Sequence, residues 1–182
     1  PDSVELLETH ISWIFLTPPH VYKVKKPVDF GFLDFTEPEE RQRYCYRELE
    51  LNQRLSPSVY LEVVEIKVEY GIYRVGGAGD AVDYAVKMRR LPSDLAMDVL
   101  LDHGGVSEED IRRLAAVIAH FHRRAETDPE ITRSGGLETV RGNVAENYAQ
   151  VERFVGVTLS QDTLEDLGAY NTAFLTLNEP LF

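Results

Sequence analysis

Apolar and polar positions follow a short, strand-like period over the first ninety residues and a helical period after that. HISWIFLT (10–17), rich in aromatic and β-branched residues, predicts a strand. Pro18-Pro19-His20 interrupts it and VYKVKKPV (21–28) resumes the extended pattern, so the two predict a hairpin with a short loop. FGFLDF (30–35) is a compact apolar linker. Thr36-Glu37-Pro38-Glu39 predicts a helix start, with Thr36 as cap, Pro38 in the first turn and Glu39 closing a capping box. That helix is expected to run to about Leu55, where Ser56-Pro57-Ser58 stops it. Segments 59–70, 71–77 and 82–91 predict three further strands separated by glycine-bearing turns, with Gly76-Gly77-Ala78-Gly79 read as a hairpin turn. The order β-β-α-β-β-β implies an antiparallel sheet with one helix packed on it.

Past Leu91-Pro92-Ser93 the pattern is helical. LAMDVLLDHG (95–104) predicts a short helix ended by Gly104-Gly105. Ser107 is expected to cap the next, with Asp110 suited to its positive end. Ile111, Leu114, Ala115, Ile118 and His122 recur at helical spacing over 107–125, which makes His122 an expected core histidine. Two more amphipathic stretches lie near 138–155 and 160–177. The fold class expected is therefore α+β, with a sheet region at 1–91 and a helical region at 92–182.

Composition sharpens this. The 182 residues are 43% hydrophobic and 27% charged, as in a globular protein. Nineteen basic against thirty-one acidic side chains give a net charge of -12, which argues against nucleic acid and against anionic membranes as partners. No apolar run is long enough to span a bilayer. PDSVELLETH has neither the basic nor the apolar region of a signal peptide. With a single cysteine, Cys45, the expected setting is the cytoplasm. The charge is uneven: residues 1–91 carry a net -3 and residues 92–182 a net -9, and all five lysines fall in the first half.

The lysines coincide with strand sequence. Alternation puts Val21, Lys23 and Lys25 on one face and Tyr22, Val24 and Lys26 on the other. A lysine at such a position must snorkel, pair with an acid or face a ligand. On the 36–55 helix, Glu48 falls inside a stripe formed by Tyr44, Leu51 and Leu55, while Glu50 points away with the arginines, read as a solvated face. A carboxylate in an apolar stripe either bends out to water or is paired, and a lysine of the neighbouring sheet is the economical partner. A strand lysine, a helix glutamate and an extended run ending in proline, YAVKMRRLP (84–92), match the order of parts that hold a nucleotide in the kinase fold.

HVYKVKKPVDFGFLDF, CYRELELNQRLSPSVYL, YAVKMRRLP and IAHFH together resemble the aminoglycoside-phosphotransferase-like family of bacteria, whose members are often fused to a C-terminal P-loop ATPase domain. The resemblance runs almost from residue 4 to the C-terminus. It implies a protein-kinase-like fold, with Lys23 as the phosphate-contacting lysine and Lys25 as the alternative. It implies Glu48 as the helix partner and Val86 to Arg90 as the hinge, with Met88 the backbone or packing contact to adenine. ATP and magnesium are the cofactors it implies, and a hydroxyl-bearing small molecule, aminoglycoside-like or other, is the acceptor. The family's His-Gly-Asp-type catalytic loop and later metal-binding aspartate do not occur in the sequence. Asp102-His103-Gly104-Gly105 has the wrong order and reads as a helix end, so no residue is assigned a catalytic or metal-ligand role. The expectation is the front part of a kinase-like phosphotransferase, or else a kinase-like regulatory or interaction module without catalysis.

Overall fold

The computed structural model describes residues 4–182. Six strands form one antiparallel sheet: β1 (Glu5–Glu8), β2 (Ser12–Leu16), β3 (His20–Lys25), β4 (Tyr60–Glu69), β5 (Ile72–Val75) and β6 (Asp80–Arg89). The helices are α1 (Pro38–Gln53), α2 (Met97–Asp102), α3 (Glu108–Arg124), α4 (Pro129–Gly135), α5 (Leu137–Val151) and α6 (Gln161–Leu177). The protein is α+β, as the sequence implies. β1 and α4 are additions to the expected elements. β1 has four residues, all exposed, and its ELLE sequence shows no alternation to announce it.

The strand order is β1-β2-β3-β6-β4-β5. The last strand is thus inserted between β3 and β4, where Ala85 and Val86 are fully buried. β5 and β6 are not neighbours, so the 76–79 segment is a connection passing β4 rather than the hairpin turn expected from its glycines. Gly79 serves that passage: its φ is +102°, and a Cβ there would lie 2.4 Å from the Val68 carbonyl oxygen. Glycine is the residue that tolerates both conditions.

α1 begins with Pro38 at its first position, where the missing N–H costs nothing. The N-cap is Glu37, which makes no side-chain cap, and not Thr36. Thr36 instead donates its backbone N–H and its hydroxyl to Asp34 Oδ1 at 2.8 and 2.7 Å, and this turn takes the place of the expected capping box. α2 ends in a Schellman motif: Gly105 N–H donates to Leu100 O and Gly104 N–H to Leu101 O, with Gly104 at φ +65°. Ser107 caps α3 as expected, and Asp110 Oδ2 reciprocates by accepting from Ser107 N at 3.0 Å.

Residues 1–119 and 120–182 form two compact units, the division falling within α3. The interior of the first holds Val21, Val24, Phe35, Cys45, Ala85 and Val86, together with three polar side chains, Ser12, Lys25 and Arg41. In the second, Asn171 Nδ2 donates to the Tyr148 hydroxyl at 2.6 Å, tying α6 to α5, and Leu175 is buried. α3 buries no residue, so His122 is an exposed histidine and not a core one. The aromatic residues of the sheet are not uniformly core: Trp13 is half-buried, and Tyr73 is largely exposed, as is Tyr70 in the β4–β5 turn. Among the described residues no helix is long and apolar enough to cross a membrane.

Candidate nucleotide site

The register of the sheet decides which side chains share a face. Lys23 lies opposite Val86 on β6 and Ile14 on β2, and Lys25 lies opposite Ser12. Directly opposed residues point the same way, so Lys23, Lys25, Val21, Val86 and Met88 share the face on which α1 packs. Lys26 points to the other face, where it pairs with Glu8 and donates to Thr9 O at 2.6 Å.

α1 presents a polar stripe to this face. Arg41, Cys45, Glu48 and Asn52 follow one another at i, i+4, i+7 and i+11. The inner face is thus turned by about 70° from the Tyr44–Leu51–Leu55 stripe expected from hydrophobicity, given about 3.6 residues per turn; Leu51 and Leu55 are exposed. Glu48 lies at the border of the two stripes and is inward in both.

Glu48 is shared. Its Oε1 accepts from Lys23 Nζ at 2.8 Å and its Oε2 from Lys25 Nζ at 2.7 Å. The two lysines differ in access: Lys25 is 6% exposed and Lys23 27%. Lys25 also stands over the ring of Phe35, 5.1 Å from its centroid, a favourable cation–π distance. Burial pushes the Glu48 carboxyl up, but the hydrogen bonds and charges of Lys23 and Lys25 outweigh it, and the net shift is downward. Glu48 is therefore a carboxylate at neutral pH.

Arg41 is part of the same assembly, not of the solvated face its neighbours Arg43 and Arg47 occupy with Glu40 and Glu50. Its Nε donates to both oxygens of Asp83 at 3.0 and 3.1 Å, and its Nη1 to the carbonyls of Phe35 and Thr36 at 2.8 and 2.7 Å. This ties the first turn of α1 to β6. Tyr60 faces Glu48 and Lys23 from β4; burial and the Glu48 charge raise its phenol above the ordinary value. Burial pushes the Cys45 thiol up to about 11, so it is an unreactive packing group. Lys23, Lys25 and Arg41 against Glu48 and Asp83 leave this cluster one positive charge in excess. The Ser12 hydroxyl, opposite Lys25, is buried without a partner.

The same face opens into a hollow of about 680 Å³, whose walls include Leu7, Leu16, Val21 and Leu91, with Glu5 and Arg90 at hydrogen-bonding range of each other (3.4 Å). Val21 joins the hollow to the charged cluster, since Lys23 is the next residue along that face of β3. A larger hollow, about 760 Å³, opens on the other face between Phe15, His20, Tyr22 and Tyr73; neither hollow is lined by Lys23 or Lys25. The residues expected as a hinge divide accordingly. Met88 lies between Val21 and Tyr60 in the ladder, which leaves it a packing part. Arg90 follows the last residue of β6, its backbone N–H donating to Pro19 O at 2.9 Å.

Lys23, Lys25 and Glu48 are thus in one cluster, with Met88 on the same face and Arg90 at the hollow's edge. Arg41, Asp83, Tyr60 and Phe35 were not singled out from sequence. Arg41 had a signal, its helical phase with Glu48; Asp83 and Tyr60 had none, because only strand pairing brings them there. Among the described residues no group of three His, Cys, Asp or Glu side chains converges as metal ligands would.

Comparison with known proteins finds uncharacterised proteins of Mycobacterium bovis and of two strains of Mycobacterium tuberculosis. Each is 28% identical over 179 residues, covering 98% of this chain and 34% of the relative. The chain therefore spans about a third of the length of the curated relatives it matches. No family model and no solved structure matches it.

Proposed function

We propose that this chain is the nucleotide-binding part of a kinase-like small-molecule phosphotransferase of the aminoglycoside-phosphotransferase-like family. The observation that carries the reading is the Lys23–Glu48–Lys25 cluster, one positive charge in excess, on the sheet face that also opens into a hollow walled by Leu7, Leu16, Val21 and Leu91 and rimmed by Glu5, Arg90 and Asp94. An excess buried charge calls for an anion, and an apolar slot a few ångströms along the same strand suits a planar base. The insertion of β6 next to β3 supports the reading, because it sets the strand leading to Arg90–Pro92 against the strand that bears the lysines. Base and phosphate contacts then come from adjacent strands.

In this reading Lys23 contacts the α- and β-phosphates of ATP and Glu48 orients it, as in the lysine–glutamate pair of kinases. Leu16, Val21 and Met88 pack on the adenine. The protein's contribution here is positioning and charge; transfer of the γ-phosphoryl to a hydroxyl acceptor needs magnesium and an aspartate from outside this segment. The relatives' greater length is consistent with further domains, a C-terminal P-loop ATPase domain among them. Thermal unfolding with and without ATP and magnesium tests the site: a rise in midpoint is expected for wild type and its loss in Lys23→Ala and Glu48→Ala. No rise in wild type would leave a kinase-like interaction module as the better account.

A further inference from the structure

The cluster contains one lysine more than a nucleotide site of this kind requires, and the two are not equivalent. Lys25 is almost sealed from solvent between Phe35 and Glu48, whereas Lys23 is more open and lies two residues along β3 from Val21, which lines the hollow. With one lysine and one glutamate, drawing the lysine onto a phosphate weakens the compensation of a buried carboxylate, which is costly. With two, one can move while the other holds.

We propose that Lys25 is a positioning residue: it keeps Glu48 ionised and in place on α1, so that Lys23 can be shared with an anionic phosphate without leaving a buried carboxylate unpaired. This rests on the nucleotide-site reading. Lys25 acts through Glu48 and does not touch the ligand. The groups facing Glu48 are Lys23 and Lys25 from β3, Tyr60 from β4, and Cys45 and Asn52 from α1 itself, where Asn52 Nδ2 donates to the Glu48 carbonyl at 2.8 Å. Lys23 and Lys25 are the cations among them. The arrangement also fixes α1 against the sheet whether or not a ligand is present, since the Lys25–Glu48 and Arg41–Asp83 contacts do not involve the hollow.

The test is calorimetric titration of the whole chain with ATP and with inorganic pyrophosphate, together with ¹³C NMR titration of the Glu48 carboxyl in the ligand-free protein. Lys25→Met forces Glu48 to rely on Lys23 alone, and an affinity loss of at least fivefold is expected with Lys23 intact. Lys25→Arg, which keeps a cation against Glu48, is expected to bring the affinity back to within about threefold of wild type. Unchanged affinity in Lys25→Met, or no recovery in Lys25→Arg, would overturn the proposal. The NMR arm needs neither nucleotide binding nor a folded Lys25→Met. In Lys23→Met, Glu48 is expected to titrate still below the ordinary carboxylate range; a rise to that range or above it shows that Lys25 does not hold it. If wild type binds neither ATP nor pyrophosphate, the nucleotide reading falls, and the NMR result alone decides whether Lys25 is the anchor.

Discussion

Glu48 is a carboxylate divided between two ammonium groups, and its energetics set the behaviour of the site. Its pKa is lowered in the folded protein, so its pairing contributes stability that is fully present above the unfolded-state value, about 4.3, and is lost as the pH falls through the lower native value. Glu48→Gln leaves two nearby lysines without their anion and is expected to destabilise the fold by about 3 kcal/mol at pH 7. Urea unfolding of both proteins across a pH series checks this: the gap should narrow below about pH 4.3. A gap that stays constant into the acid would mean that the charge of Glu48 contributes nothing. The pairing was legible in the sequence because a lysine in an alternating strand and a glutamate inside a helical stripe are each anomalous, and each anomaly resolves the other. The sharing between two lysines was not, since alternation puts Lys23 and Lys25 on one face without saying which one solvent reaches.

At the scale of elements, α1 is held by polar contacts where hydrophobicity pointed to leucines. The wheel favours Tyr44, Leu51 and Leu55, but the helix buries Arg41 and Cys45 and turns Glu48 inward because the sheet opposite offers Lys23, Lys25 and Asp83, and charges placed there must be matched. Arg41→Ala removes four hydrogen bonds and leaves Asp83 and two carbonyls without that donor. It is expected to cost about 3 kcal/mol and to raise amide exchange in the first turn of α1 before the rest of the helix. Hydrogen exchange followed by NMR resolves the two regions, and uniform exchange along α1 would contradict the clamp. Strands and helices were readable from period and turn residues to within a few positions. The insertion of β6 between β3 and β4 was not, because strand order is a long-range choice on which local pattern is silent. β1 escaped for the opposite reason: four exposed residues carry no pattern at all.

For the whole molecule, the charge distribution is the informative quantity. A chain of net charge -12 repels nucleotide at long range, so an ATP site needs local positive charge, and every lysine lies in the half that contains the sheet. In the proposed reading, the acidic helical half would draw in a cationic acceptor by electrostatic steering. A polyamine such as spermine, or an aminoglycoside, is therefore expected to bind several-fold more weakly at high than at low ionic strength by fluorescence titration, and salt-independent binding would remove steering from the account. The central claim, however, is the anion beside Lys23. Its most direct measurement is isothermal titration of the protein with ATP, comparing wild type with Lys23→Met. The account predicts saturable binding in wild type and at least a tenfold loss in the variant; equal affinity in the two, or no binding in wild type, would contradict it.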